Sequence, residues 1–279
     1  MPKRVLLTGG SSGLGHALGR QLCARGYEVI ATARDDAQAA ALVSDGVCAR
    51  TVQVDLAIEA TIASIPAQLR GQGIDALDAV LHCAAISDAG PLETIPMARV
   101  RQMFEVNVFG TFGLIQATAD LLRRAKGRLL LTGSIGGFSV WPILGVYGAT
   151  KHTLEAIADA ARRELSPFGV EVALIRPGGI RTRMLSRHLE DMNARVAALD
   201  GADREHYGAL YRGYVERLTR TGHLAATPEA MASRLVAVLE SRRMRTSYCF
   251  GIDCKALRVI DLLLPDRVFD VMIRKLFPA

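Results

Sequence analysis

The 279-residue sequence is poor in the features that mark several function classes. No uncharged apolar run approaches the roughly 20 residues that a membrane-spanning helix needs. Aromatic residues make up 5% of the chain, with one tryptophan, Trp141. Lys and Arg are spread along the chain, so base-stacking surfaces and a nucleic-acid partner are not expected. The densest basic run, Arg242-Arg243-Met244-Arg245, reads as a solvated helix end. Five cysteines, at 23, 48, 83, 249 and 254, form no C-x-x-C pair. An odd count without such a pair suggests neither a disulfide framework nor a metal site. Only Met1-Pro-Lys-Arg4 precedes the first apolar run, which leaves no room for a signal peptide and makes a reducing, cytoplasmic location the expectation. Internal repeats and low-complexity segments are absent.

What is present supports one large domain. Half of the residues are hydrophobic, enough for a sizeable core, and the formal charge of +6 suits an anionic small molecule. The chain is organised around Thr8-Gly-Gly-Ser-Ser-Gly-Leu-Gly15, entered from the apolar Val5-Leu6-Leu7 and left through Leu14, Leu18 and Leu22 at helical spacing. A strand, a glycine turn and a helix make a phosphate site. The turn lets backbone approach a pyrophosphate, and the helix start offers unpaired N–H groups.

Further strands are expected at 27–32, 50–55, 79–83, 128–132, 171–175 and 247–250, with helical segments between them. The alternation predicts a doubly wound, parallel seven-stranded α/β sheet with helices on both faces, in a single domain spanning 1–279. One helix is expected over Met97–Lys126, and another from Tyr147 to about Phe168. Residues 181–227 are rich in charge, Met and Tyr and lack strand signals. They read as a helical lid or substrate-pocket wall, or equally as a solvated helical hairpin. Residues 255–279 form an amphipathic tail split at Pro265, with Val268, Phe269, Met272, Ile273 and Leu276 on one face. Such a face packs on its own protein or a sister subunit, with a membrane surface as the alternative.

Several residues carry candidate chemistry. Arg34 ends the second strand, where an acidic side chain would hold a ribose 2′-hydroxyl; arginine there invites a 2′-phosphate and favours NADP over NAD, unless it is an ordinary exposed arginine. Asp55 ends the third strand, placed to accept from an adenine amino group or to cap a helix starting at Leu56. Asn107 lies among apolar neighbours, as a structural hydrogen-bonder or part of a polar site. Tyr147 and Lys151 are four residues apart and share a helix face. A phenol ionises near pH ~10; the ammonium, with a cationic nicotinamide, is expected to lower that value and let Tyr147 exchange a proton with a substrate oxygen. Ser134, at a strand end, is placed to hold the same oxygen, with Asn107 positioning water behind Lys151.

Taken in order, the glycine stretch, Asp55, Asn107, Ser134, Tyr147-Gly-Ala-Thr-Lys151 and Pro177-Gly-Gly-Ile180 resemble the short-chain dehydrogenase/reductase family over nearly the whole chain. The resemblance implies a Rossmann fold and a catalytic set of Asn107, Ser134, Tyr147 and Lys151. It also implies a cofactor site. Gly9, Ser11, Ser12, Gly13, Leu14 and Gly15 would cradle the phosphates. Arg34, Asp55, Leu56, Cys83, Ala84 and Ala85 would lie at the adenosine end. Tyr147, Lys151, Pro177, Gly178, Ile180 and Thr182 would lie at the nicotinamide end. A homodimer or homotetramer is implied, built on the helices over 107–126 and 151–168. The family commonly has Asn-Asn-Ala-Gly where this chain has His82-Cys83-Ala84-Ala85, so a weak hydrogen-bonder stands where an amide would tie neighbouring strands. The tail is similar to that of members acting on steroids, retinoids and other apolar alcohols. With Trp141, Met184 and Leu185 as pocket material, a hydrophobic secondary alcohol or ketone is the expected substrate. The alternative is a non-catalytic protein that binds the nucleotide and senses its redox state.

Overall fold

The computed structural model describes residues 2–222 and 225–277, with the side chains at 183, 184, 186, 187 and 221 outside the described set. Seven strands, β1 (Arg4–Thr8), β2 (Glu28–Ala33), β3 (Arg50–Gln53), β4 (Ala79–His82), β5 (Arg128–Thr132), β6 (Glu171–Pro177) and β7 (Ser247–Phe250), form one sheet in the order β3-β2-β1-β4-β5-β6-β7. Every pairing is parallel. The reversal of order between β1 and β4 opens a crevice at the carboxyl ends of the strands, where ligands bind in such sheets.

Alternation along the strands builds two cores. Leu6, Ile30, Val80, Leu129 and Leu131 face one layer of helices, and Val5, Leu7, Val29, Leu81 and Leu130 face the other. The first layer holds α3 (Glu59–Ala63), α4 (Ile65–Gly71), α6 (Gly110–Ala125) and α7 (Gly145–Leu165). The second holds α1 (Gly13–Ala24), α2 (Asp36–Ser44) and α10 (Pro228–Glu240). Near-continuous apolar strands are legible in sequence because both faces are covered.

The segment expected as one helix over 97–126 is interrupted. It comprises α5 (Met97–Phe104), a wide π-helical turn at Glu105–Phe109 and α6. The expected helix cap at Asp55 is also corrected. β3 stops at Gln53 and α3 begins only at Glu59; Asp55 instead accepts the Ala57 N–H at 2.9 Å in a short turn.

Beyond β6, α8 (Arg183–Ala198) and α9 (Gly201–Thr221) pack together. The tail folds as α11 (Ile252–Leu263) and α12 (Asp266–Leu276). A third core forms where Met192, Tyr211, Tyr214, Ile273 and Phe277 meet Ile143 and Trp141. Phe269, Met272 and Leu276 join it, so most of the tail's apolar face is spent within the chain, while Val268 stays half exposed. Arg195 of α8 anchors this layer to the loop after β4, reaching Asp88 and the Ala89 carbonyl, each at 2.5 Å.

Candidate active site

The glycine turn is shaped by contacts that tolerate no side chain. A Cβ on Gly15 would stand 2.2 Å from the Gly9 carbonyl oxygen, and one on Gly9 2.7 Å from the Ala84 nitrogen. Gly9 also has φ +75°, in the left-handed region. The turn therefore lies against Cys83 and Ala84 at the end of β4. Ser12 stands ahead of α1 in an extended conformation and its hydroxyl does not cap the helix. With no acidic residue in the first turn, the helix start presents backbone N–H groups to an anion. These features fit a dinucleotide pyrophosphate. Ser11 is exposed at the crest of the turn, and Leu14 is buried beneath it.

Arg34 is exposed immediately beyond β2, and Gln53 donates to its carbonyl at 3.3 Å. The neighbouring Asp35 is occupied as the cap of α2, accepting the Gln38 N–H at 2.8 Å. Asp55 and Leu56 follow β3 on the same edge of the sheet, with Leu56 buried where its carbonyl closely approaches Gly110. At the other end, Thr182 places its methyl group against Gly13, within 2.9 Å of where a Cβ would be. The loop after β6 thus meets the glycine turn. Ile180 pairs with Ala226 in a single bridge. Asp253 of α11 supports the loop from outside. Its carboxylate accepts the Gly179 N–H at 2.9 Å and fills the place of a Gly178 side chain.

Between these ends stand Ser134, Tyr147 and Lys151. Ser134 follows β5, and Tyr147 and Lys151 lie in the first two turns of α7. The Ser134 hydroxyl and the Tyr147 ring both border Gly136, at 3.6 and 3.5 Å from its Cβ position. Lys151 is 2% exposed. Its Nζ donates to the Thr132 carbonyl at 3.0 Å and stands 5.7 Å from the centre of the Tyr147 ring. Burial brings the ammonium down from 10.5 to about 8.

The expectation that Lys151 lowers the Tyr147 ionisation is corrected for the protein groups alone. Burial pushes the phenol up, and the neighbouring Ser134 hydroxyl opposes it. The physical reason is burial, the larger of the two causes.

Asn107 is buried in the π-helical turn. Its amide donates to the Ile86 carbonyl at 2.8 Å and to the Thr150 hydroxyl at 3.1 Å, and accepts the Ile86 N–H at 2.9 Å. Thr150 in turn donates to the Tyr147 carbonyl at 2.7 Å. The side chain thereby ties the β4 loop to α7 between Tyr147 and Lys151.

One residue of this site was missed as a participant. His82 is wholly buried, with Nδ1 2.8 Å from the Thr8 hydroxyl and Nε2 3.0 Å from the Thr111 hydroxyl. Thr111 donates its one hydrogen to the Asn107 carbonyl at 2.7 Å, so it must accept from Nε2–H. Nδ1 then accepts from Thr8, whose oxygen accepts the Ala84 N–H at 3.2 Å. A directed chain runs from the glycine turn to the π-helical turn through a neutral imidazole. Burial and the Lys151 charge bring His82 down to about 3. This chain supplies the cross-strand tie expected to be missing at Cys83. The Cys83 thiol accepts from Thr132 at 3.5 Å, and burial pushes it up to about 11. Its sole sequence signal was the departure from Asn-Asn-Ala-Gly.

Of the expected pocket residues, Trp141 is taken up in packing against Phe277, ring centres 5.3 Å apart, with the Arg217 guanidinium near both rings. Leu185 is half-buried next to Thr182, to which its N–H donates. The Met184 side chain lies outside the described residues.

Comparison with known proteins places these observations. The short chain dehydrogenase family model matches residues 3–193. An NADPH-dependent 3-dehydrocapnine reductase of Ornithobacterium rhinotracheale is 28% identical over 287 residues, covering 97% of this chain and 96% of that one. Human 17-beta-hydroxysteroid dehydrogenase type 1 is 30% identical over 256 residues, covering 88% and 76%. Among solved structures, a short-chain dehydrogenase from Streptomyces avermitilis superposes with a TM-score of 0.77 at 23% identity, covering 96% of this chain and 93% of that one.

Proposed function

The chain belongs to the short-chain dehydrogenase family, and from that premise we propose that it is an NADPH-dependent oxidoreductase interconverting a bulky apolar ketone and its secondary alcohol. When bound, the nicotinamide gives or takes the hydride. The protein's part is proton handling and geometry. In the reducing direction the Tyr147 hydroxyl passes its proton to the substrate oxygen, and the Ser134 hydroxyl holds that oxygen in place. The Lys151 ammonium, still charged at neutral pH with its ionisation near about 8, stabilises the phenolate left behind. Asn107 fixes the register of α7 on the β4 loop through Thr150.

Arg34 supports the preference for a 2′-phosphate, since the following carboxylate is committed to capping α2. The named NADPH dependence of the capnine-related reductase agrees. An apolar substrate is supported by the layer of α8 and α9 beside the site and by the steroid named for the human relative. We further propose a homo-oligomer built on α6 and α7.

The observation that carries the reading is the convergence of Ser134 and Tyr147 beside Gly136, with Lys151 one helical turn on. Tyr147→Phe is expected to lower turnover at least ~10²-fold with NADPH binding retained, since positioned acid–base groups contribute that order. NADPH consumption with a panel of apolar ketones measures it. Unchanged turnover in the variant would refute the assignment, and NADPH binding without turnover of any ketone would favour a redox sensor.

A further inference from the structure

Two cysteines converge on Arg176, two residues before the Gly178–Gly179 loop. β6 and β7 pair with Arg176 opposite Cys249. In-register neighbours point to the same face of a sheet, so the Cys249 side chain stands beside that of Arg176. From the first turn of α11, the wholly buried Cys254 donates its S–H to the Arg176 carbonyl at 3.2 Å. The corner between β7 and α11 is Gly251, with φ +105°, which folds the helix back over the strand. The two cysteines thereby both border Arg176, one across the ladder and one over its carbonyl. Arg176 is itself fixed by a two-pronged ion pair to Glu155 of α7. Cys249 is half-buried and reachable, whereas Cys254 is enclosed.

We propose that Cys249 and Cys254 are a reversible dithiol–disulfide modification site, oxidised by a peroxide and reduced by a dithiol. The Cys249 sulfur, as thiolate, attacks one peroxide oxygen; the O–O bond breaks, water leaves, and a sulfenic acid forms. The Cys254 sulfur then attacks the sulfenic sulfur. The S–O bond breaks as the S–S bond forms, and the Cys254 proton leaves with the hydroxyl as a second water. In sum the two thiols lose two hydrogens and two electrons, and one hydrogen peroxide becomes two waters. A dithiol reverses the bridge by exchange through a mixed disulfide.

The bridge acts on the neighbouring loop. Forming it draws Cys254 away from the Arg176 carbonyl and takes Asp253 with it. Asp253 is the group that holds Gly179 and rests on Gly178. Weaker nucleotide binding in the oxidised protein follows; this consequence rests on the function proposed above, whereas the bridge does not.

Arg245 and Lys255 bracket both cysteines, so trypsin releases them in one peptide, 246–255. The full chain would be treated with hydrogen peroxide, blocked with N-ethylmaleimide and digested. The expected peptide is unblocked, two hydrogen masses lighter than the dithiol, and restored by dithiothreitol. A peptide carrying two maleimides, or an over-oxidised Cys249 beside a blocked Cys254, overturns the bridge. NADPH titration in parallel is expected to show a severalfold rise in Kd on oxidation, reversed by dithiothreitol. Cys249→Ser is expected to keep its NADPH affinity through the same treatment. An equal loss of affinity in that variant overturns the coupling to the loop. Absence of NADPH binding in the untreated protein would defeat the functional proposal while leaving the bridge to be judged by mass.

Discussion

A buried histidine that keeps its neutral form links the two polar ends of the site. His82 ionises near about 3 in the folded chain, against 6.5 for an unperturbed imidazole, because burial disfavours the cation and Lys151 repels it. Between those values the unfolded chain binds a proton that the folded chain refuses. Folding stability from this group is therefore complete above pH ~6.5 and is lost as pH falls toward about 3. The slope approaches ~1.4 kcal/mol per pH unit. Urea unfolding of the wild type and His82→Asn at a series of pH values checks this; the variant is expected to lose that slope, and equal slopes would refute the role. At this scale the sequence was informative about Tyr147, Lys151 and Ser134, whose types and spacing are dictated by proton transfer. It was silent on His82, because its meaning comes from Thr8 and Thr111, which are distant in sequence from it and from each other. The direction of the Tyr147 shift was also hidden, since it depends on how deeply the fold buries the phenol.

Strands and most helices were legible, because strands covered on both faces read as apolar runs and helices as apolar stripes. The π-helical turn at Glu105–Phe109 was not. One extra residue in a turn leaves the apolar pattern on either side nearly intact, so periodicity does not reveal it. Asp55 misled for a related reason: a carboxylate capping a helix and one closing a short turn have the same local sequence. The glycine turn offers the clearest test at this scale. Gly15→Ala would drive a methyl group into the Gly9 carbonyl, from which its Cβ would stand 2.2 Å away. Overpacking of this kind costs about 1–3 kcal/mol. We expect a lower thermal midpoint together with at least ~10-fold weaker NADPH binding, about 1.4 kcal/mol in affinity. Calorimetric titration measures the latter, and unaltered affinity would show that the turn does not contact the nucleotide.

The whole molecule leaves Phe109 and Phe112 on the α6 side, with Phe168 beyond α7, about half exposed. Exposed apolar patches serve as protein interfaces, and the homo-oligomer proposed above would cover Phe112. Phe112→Glu is expected to reduce the particle mass measured by light scattering to that of one chain, with the circular dichroism spectrum preserved; a wild type that is already monomeric would refute the interface. The layer of α8, α9 and α12 was legible as helical but not in its placement, which depends on Arg195 reaching Asp88 and on Trp141 packing against Phe277. The support of Gly178 and Gly179 by Asp253 has a consequence for synthesis. The loop after β6 leaves the ribosome some 70 residues ahead of the carboxylate that steadies it. A nascent or prematurely terminated polypeptide lacking α11 would thus present the first half of a nucleotide cradle and an unbraced second half.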